Sequence, residues 1–139
     1  MTSLQRVAGR PTWALGRAHA RAQGLLGEAF AAAGVRGYHY RLLAALAEYG
    51  PCSQADLGRA TGIDRSDVVA VLDDLVAWRM ARRDPDPADR RRNVVTLTRA
   101  GERRLVELDR VLDDVQEDVL APLTAAERRT LLALLAKLS

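Results

Sequence analysis

Cysteine, lysine and aromatic residues are all scarce in this chain of 139 residues. One thiol, Cys52, excludes an internal disulfide and a cysteine-based metal cluster. His19 and His39 are too few for a typical zinc site, which takes about four ligands. No apolar run approaches the ~18 residues that a membrane span needs. The opening stretch, MTSLQRVAGRPTW, lacks the apolar segment of a secretion signal, so a cytoplasmic location is expected. No Ser/His/Asp arrangement, glycine-rich phosphate loop or pair of acid/base carboxylates stands out. An enzyme is therefore not expected, and no cofactor or metal is called for. Lys137 is the only lysine among 21 basic residues. That imbalance fits the base composition of a gene and carries little weight.

What is present is enough for one domain with a real core. The chain is 48% hydrophobic and 28% charged, with a net charge of +3. Its pI of about 9.6 is compatible with a nucleic-acid partner without requiring one.

Periodicity and capping signals predict six helices and one hairpin. The first helix starts near Pro11, whose fixed φ suits a first turn, and stops near Gly34. Leu15, Ala18, Ala22, Leu25 and Ala29 share one of its faces. The second starts around Tyr38, turns Leu42, Leu43 and Leu46 inward and ends at Gly50-Pro51. Ser53 caps a short third helix that Gly62 ends. Asp64 caps a fourth, with Val68, Val71, Leu72 and Leu75 as its buried stripe.

The pattern then changes. Met80 to Arg83 and the β-branched run from Asn93 to Thr98 read as two strands. Between them lie two prolines and three aspartates, a loop signal. Thr98 is placed to cap a long fifth helix carrying Leu105, Leu108, Leu112, Val115 and Val119. Pro122 breaks it. Thr124 and Glu127 have the spacing of a capping box. The sixth helix carries Leu131, Leu134, Leu135 and Leu138.

This order predicts a mainly α (α+β) fold, a winged helix-turn-helix with a two-stranded wing. Residues of about 38–98 form the winged region. Flanking helices of about 11–34 and 99–139 complete a single domain. In such folds the second helix of the pair enters the major groove of DNA, and the hairpin reaches a neighbouring minor groove. The loop DPADRRRN at 86–93 presents Arg90, Arg91 and Arg92 at the hairpin tip. The flanking apolar stripes either enlarge one core or form a homodimer interface. The dimer is the favoured expectation, because readers of this kind bind palindromes as two-fold dimers.

Two segments carry a family resemblance: SQADLGRATGIDRSDVVAVLDDL at 53–75 and MARRDPDPADRRRNVVTLTRAG at 80–101. Their order and wording resemble the MarR family of bacterial transcription regulators, over nearly the whole chain. The D-P-x-D-R-R wing followed by V-x-L-T-x-x-G is the more specific part. The resemblance implies a regulator of a palindromic operator, typically a repressor released by a small anionic aromatic ligand or an oxidant. It places Arg91 in the minor groove, Asp89 in support of the wing, and Arg90 and Arg92 on phosphates. Arg83 matches a frequent basic position on the wing's first strand. Arg59, Arg65, Ser66 and Asp67 are further DNA-contact candidates; Asp67 either accepts from cytosine N4 or only completes the helix cap.

One departure stands out. From Asp64 to Trp78 the fourth helix has one arginine, Arg65, against Asp64, Asp67, Asp73 and Asp74. The family often has basic residues facing the groove there, and the matching positions are Ala70 and Asp74. This acidity motivates an alternative: a winged-helix dimer that binds a protein or a small molecule without specific DNA binding. A ligand pocket is expected, if anywhere, around Trp13, Arg17, His19, Tyr38, His39 and Tyr40; ordinary packing explains the same aromatics. A second alternative makes Cys52 a thiol redox switch, against the plainer reading of an inert structural thiol.

Overall fold

Capping chemistry sets most of the helix boundaries. The computed structural model describes residues 4–139. Helices α1 (Gln5–Ala8), α2 (Pro11–Ala32) and α3 (Gly37–Tyr49) come first. A two-residue strand β1 (Cys52–Ser53) leads into α4 (Gln54–Thr61) and α5 (Arg65–Ala77). Strands β2 (Ala81–Pro85) and β3 (Asn93–Leu97) form the wing, and α6 (Arg99–Leu120) and α7 (Ala125–Leu138) end the chain. Ser53 Oγ accepts from Asp56 N–H to cap α4, and Asp64 accepts from Ser66 N–H to cap α5. Thr98 Oγ1 accepts from Gly101 N–H at the start of α6. The Thr124–Glu127 capping box closes in both directions at the start of α7. Between α4 and α5, Gly62 takes the left-handed conformation (φ 68°) that lets the chain turn without a side-chain clash.

Two elements depart from the sequence reading. The expected two-stranded wing is one part of a three-stranded antiparallel sheet in the order β1-β3-β2. β1 pairs Cys52 with Val95 and Ser53 with Val94. Two residues are too short for any alternation to show, and the capping signal of Ser53 occupies the same place. The short α1 was also not expected.

The residues divide into two compact units, one of Phe30–Val111, the other of the described residues up to Ala29 with Leu112–Ser139. The divide falls inside α2 and α6 rather than at their ends. In the first unit, Leu42, Leu43, Leu46, Leu57, Leu72, Leu75, Val95 and Leu108 are fully buried. Every residue of the α5 stripe predicted from periodicity is buried. Of the other unit's described residues, only Val115 is buried. There Arg21 donates to the carbonyls of Asp118 and Val119, satisfying oxygens that the end of α6 leaves open. Arg128 binds Glu117. Leu132, Leu134, Leu135 and Leu138 of α7 are exposed. Among the described residues, no helix is long and apolar enough to cross a membrane.

Candidate nucleic-acid interface

The wing tip is a built turn. Asp86 Oδ1 accepts from Ala88 N–H, and Asp86 N–H donates to the Arg92 carbonyl at 2.8 Å. The Asp89 carbonyl accepts from Arg92 N–H at 3.0 Å. One oxygen of Asp89 accepts from both the backbone N–H and the Nε of Arg91, each at 3.1 Å. The Arg91 side chain hydrogen bond, helped by its backbone N–H, holds the Asp89 carboxyl below its ordinary range. Aspartate favours such turns because its side chain bonds the backbone two residues on. The Arg91 side chain is 91% exposed, and Arg90 and Arg92 are exposed beside it. Asp89 thus holds Arg91 by its backbone N–H and its guanidinium Nε, while the side chain as a whole stays exposed.

The carboxylates of Asp64, Asp73 and Asp74 have partners within the chain, and two of them, Asp73 and Asp74, face arginines. Asp64 is engaged by the N–H and hydroxyl of Ser66 at the cap, and these bonds lower its pKa. Asp73 binds Arg83 of β2 at 2.7 Å. Asp74 accepts from His39 Nε2 at 2.9 Å, with the Arg36 guanidinium 4.0 Å away. Asp74, expected at a groove-facing position, is therefore turned toward α3. Its position on the helix lies beside the buried stripe rather than opposite it, which the residue type alone concealed. Asp67 is exposed in the first turn, where the helix dipole favours a carboxylate.

Arg83 also departs from expectation. It was matched to DNA as a basic residue of the first wing strand. Instead its side chain is only 26% exposed and is held by Asp73. The pair ties the wing to α5, a supporting geometry rather than a free cation. Arg59 and Arg65 are exposed along α4 and at the start of α5, and Arg59 pairs with Asp56. Ser66 and Asp67 are exposed on the first turn of α5.

The three consecutive candidates of the ligand pocket, Tyr38, His39 and Tyr40, have different surroundings. His39 is 3% exposed. Its Nδ1 accepts from Arg36 N–H at 2.9 Å, so that nitrogen carries no proton and Nε2 donates to Asp74. Trp78 lies against its ring, with centroids 4.7 Å apart. Tyr38 is exposed beneath Arg41. Tyr40 stacks on Phe30 at 5.7 Å and donates to Asp109 at 2.7 Å. Trp13, Arg17 and His19 are exposed residues of α2 in the other unit. His39 thus fastens the start of α3 to α5. Its replacement by leucine would strand two polar partners, and the expected loss of stability is about 2 kcal/mol, read from thermal unfolding. A midpoint equal to that of the unmodified protein would contradict this fastening role.

Cys52 is half-buried in β1. Burial first, then the charge of Asp56, pushes its thiol pKa up. That is opposite to the shift a reactive thiolate needs.

The sequence comparisons bear on the same segment. The model of the MarR family matches residues 33–92, from the last turn before α3 to the wing tip. The HTH-type transcriptional repressor NicR of Pseudomonas putida is 35% identical over 96 residues. That match takes in 69% of this chain and 61% of the relative, so the chain spans about three fifths of that curated relative's length. Among solved structures, a probable transcriptional regulator from Pseudomonas aeruginosa superposes with a TM-score of 0.81 at 32% identity. The superposition covers 94% of this chain and 98% of that one. BpsR of Bordetella bronchiseptica, whose DNA binding is regulated by 6-hydroxynicotinic acid, gives a TM-score of 0.80 at 29% identity. It covers 95% of this chain and 94% of BpsR. The motif at the wing, the helix-turn-helix with its Gly62 turn and these likenesses agree: the chain belongs to the MarR family of transcription regulators.

Proposed function

We propose that the protein is a homodimeric regulator that binds a palindromic double-stranded operator and represses transcription until a small aromatic acid releases it. The observation that carries this reading is the wing tip, where a built turn holds Arg91 by its backbone N–H and Nε and leaves its side chain 91% exposed between two further arginines. Such a group fits the narrow, electronegative minor groove of A·T-rich DNA. Arg90 and Arg92 take phosphates, and Arg59 and Arg65 add positive charge along the helix-turn-helix. Arg83 acts indirectly, by joining the wing to α5 through Asp73. NicR's name as a repressor supports repression, and the regulation of BpsR supports release by an aromatic acid. Arg17 and His19 on α2 are the proposed sources of positive charge for that acid. His39 is not, because both its ring nitrogens are committed. The protein works in the cytoplasm, beside the DNA, and is not an enzyme.

The alternative of a winged helix without specific DNA binding drew on the acidity of α5. The arginines that face Asp73 and Asp74 weaken that motive. The redox alternative loses support from the raised pKa of Cys52.

The test is duplex binding measured over a range of salt. Each phosphate-neutralising arginine contributes about 0.9 to the salt slope. Arg91→Ala should weaken binding by about 1–3 kcal/mol and relax preference for an A·T-rich step. Arg90→Ala and Arg92→Ala should weaken all duplexes more evenly and flatten the slope. Asp89→Ala removes a negative charge near phosphate, so a bland charge patch would bind more tightly without it. A structured wing binds more weakly, because a loosened turn must be ordered on docking. Tighter binding by Asp89→Ala would count against the structured wing. Binding with no salt dependence would refute a phosphate-contacting function altogether.

A further inference from the structure

Helix α5 lacks the side chains that read purines in pairs of hydrogen bonds. Bidentate recognition of guanine takes arginine or lysine, and that of adenine takes asparagine or glutamine. After Arg65 the helix has none of these through Ala77. Ser66, Val69 and Ala70 fall on one outward side by their three- and four-residue spacing, followed there by Asp73, which Arg83 holds. Val69 is 39% exposed on a helix whose apolar stripe, Val68, Val71, Leu72 and Leu75, is buried. It lines an open groove of about 430 Å³ between α4 and α5, with Ala55 and Val68. Arg59 and Arg65 line the same groove. An apolar floor between two cations matches one feature of duplex DNA: a methyl group in the major groove flanked by phosphates. Among the four base-pair orientations, that methyl is the C5-methyl of thymine.

We infer that Val69, with Ala70 beside it, reads a thymine methyl in the major groove of each half-site. This inference rests on the DNA-binding function proposed above and adds the chemistry of the base that α5 selects. Recognition comes from burying one methyl against another, so it is independent of charge. Arg59 and Arg65 set the approach through phosphate contacts, and Ser66 is free to bond a base edge or a phosphate.

The probe is a duplex that the full-length protein selects from a random-sequence library at fixed salt. Each thymine in it is replaced, one at a time, by deoxyuridine, which lacks only the C5-methyl. At one thymine in each half-site the replacement should weaken binding about fourfold, the effect of burying one methyl-sized group. Replacing both symmetry-related thymines should weaken it more than tenfold. Val69→Ala should bind the thymine and deoxyuridine duplexes equally at that position, with an unchanged salt slope. Because Val69 is partly exposed, the variant should keep its thermal midpoint; the deoxyuridine series on the unmodified protein needs no variant. Uniform tolerance of deoxyuridine overturns the inference, as does a deoxyuridine penalty that persists in Val69→Ala. In both cases salt-dependent duplex binding stands and only the methyl reading falls. If no duplex is bound at all, the inference falls together with the proposed function, and Arg91→Ala then has nothing to weaken.

Discussion

Gly101→Ala is expected to destabilise the protein by about 3 kcal/mol, although alanine is the better helix former by about 1 kcal/mol. Gly101 lies in the first turn of α6. A Cβ there would stand 2.1 Å from the Met80 carbonyl oxygen and 2.6 Å from Leu97 Cδ1. The Leu97 methyl can rotate away; the carbonyl cannot move freely. It accepts from Thr98 N–H at 3.1 Å, while the neighbouring Arg79 carbonyl accepts from Thr98 Oγ1 at 2.7 Å. Arg79 itself turns the chain out of α5 with a positive φ of 60°. Thr98 and Gly101 therefore clamp the chain that leaves α5 against the chain that enters α6. The added methyl must open this clamp, and the wing hangs from it. For a chain of this length the thermal midpoint should fall by roughly 10 °C. Helix propensity alone predicts a rise. A higher midpoint in Gly101→Ala would show that the close approach does not constrain the fold.

That glycine shows what could and could not be read from the residues. The V-x-L-T-x-x-G wording marked the segment, and Thr98 was legible as a cap from its type and place. The reason for the glycine was not legible, because it depends on a carbonyl twenty-one residues earlier. The helices were legible where one side of the pattern is strongly apolar, as in α5, and where a cap residue precedes it. β1 was not, since its two residues pair with β3 across some forty positions of chain. At the candidate interface, the exposed tip of the wing followed from charge and turn chemistry. The fates of Arg83 and Asp74 did not. Both are charged residues on regular elements, and type and spacing leave open whether such a residue meets solvent or a partner from another element. The Asp73–Arg83 ion pair and the Asp74–His39 hydrogen bond are properties of packing. The charges around α5 also change the electrostatic argument, because an acidic helix with two of its four carboxylates facing arginines repels phosphate less than its sequence suggests.

Leu135→Asp is expected to dissociate the proposed homodimer or to unfold it. The unit containing α7 has one buried residue among those described, Val115, while four leucines of α7 are exposed, Leu138 to 70%. A helix with its apolar side open to water has lost the burial that normally stabilises it. In the proposed homodimer a second copy would supply that burial through a two-fold interface, which would also space two wings for a palindrome. Leu131, Leu134, Leu135 and Leu138 recur at three- and four-residue spacing and would form its contact surface. A carboxylate at Leu135 appears twice in a two-fold interface. Each copy loses the burial of a leucine, about 2 kcal/mol, and adds an ionised group that must be desolvated. The dimer should weaken by at least a thousandfold, the equivalent of about 4 kcal/mol for the two lost leucines alone. Ala133→Asp, on the opposite side of α7 by its spacing, should leave assembly unchanged. Sedimentation of both variants at micromolar concentration separates these outcomes. If the unmodified protein sediments as a compact monomer, the exposed leucines of α7 are not a self-association surface, and the two-fold reading of the operator loses its basis.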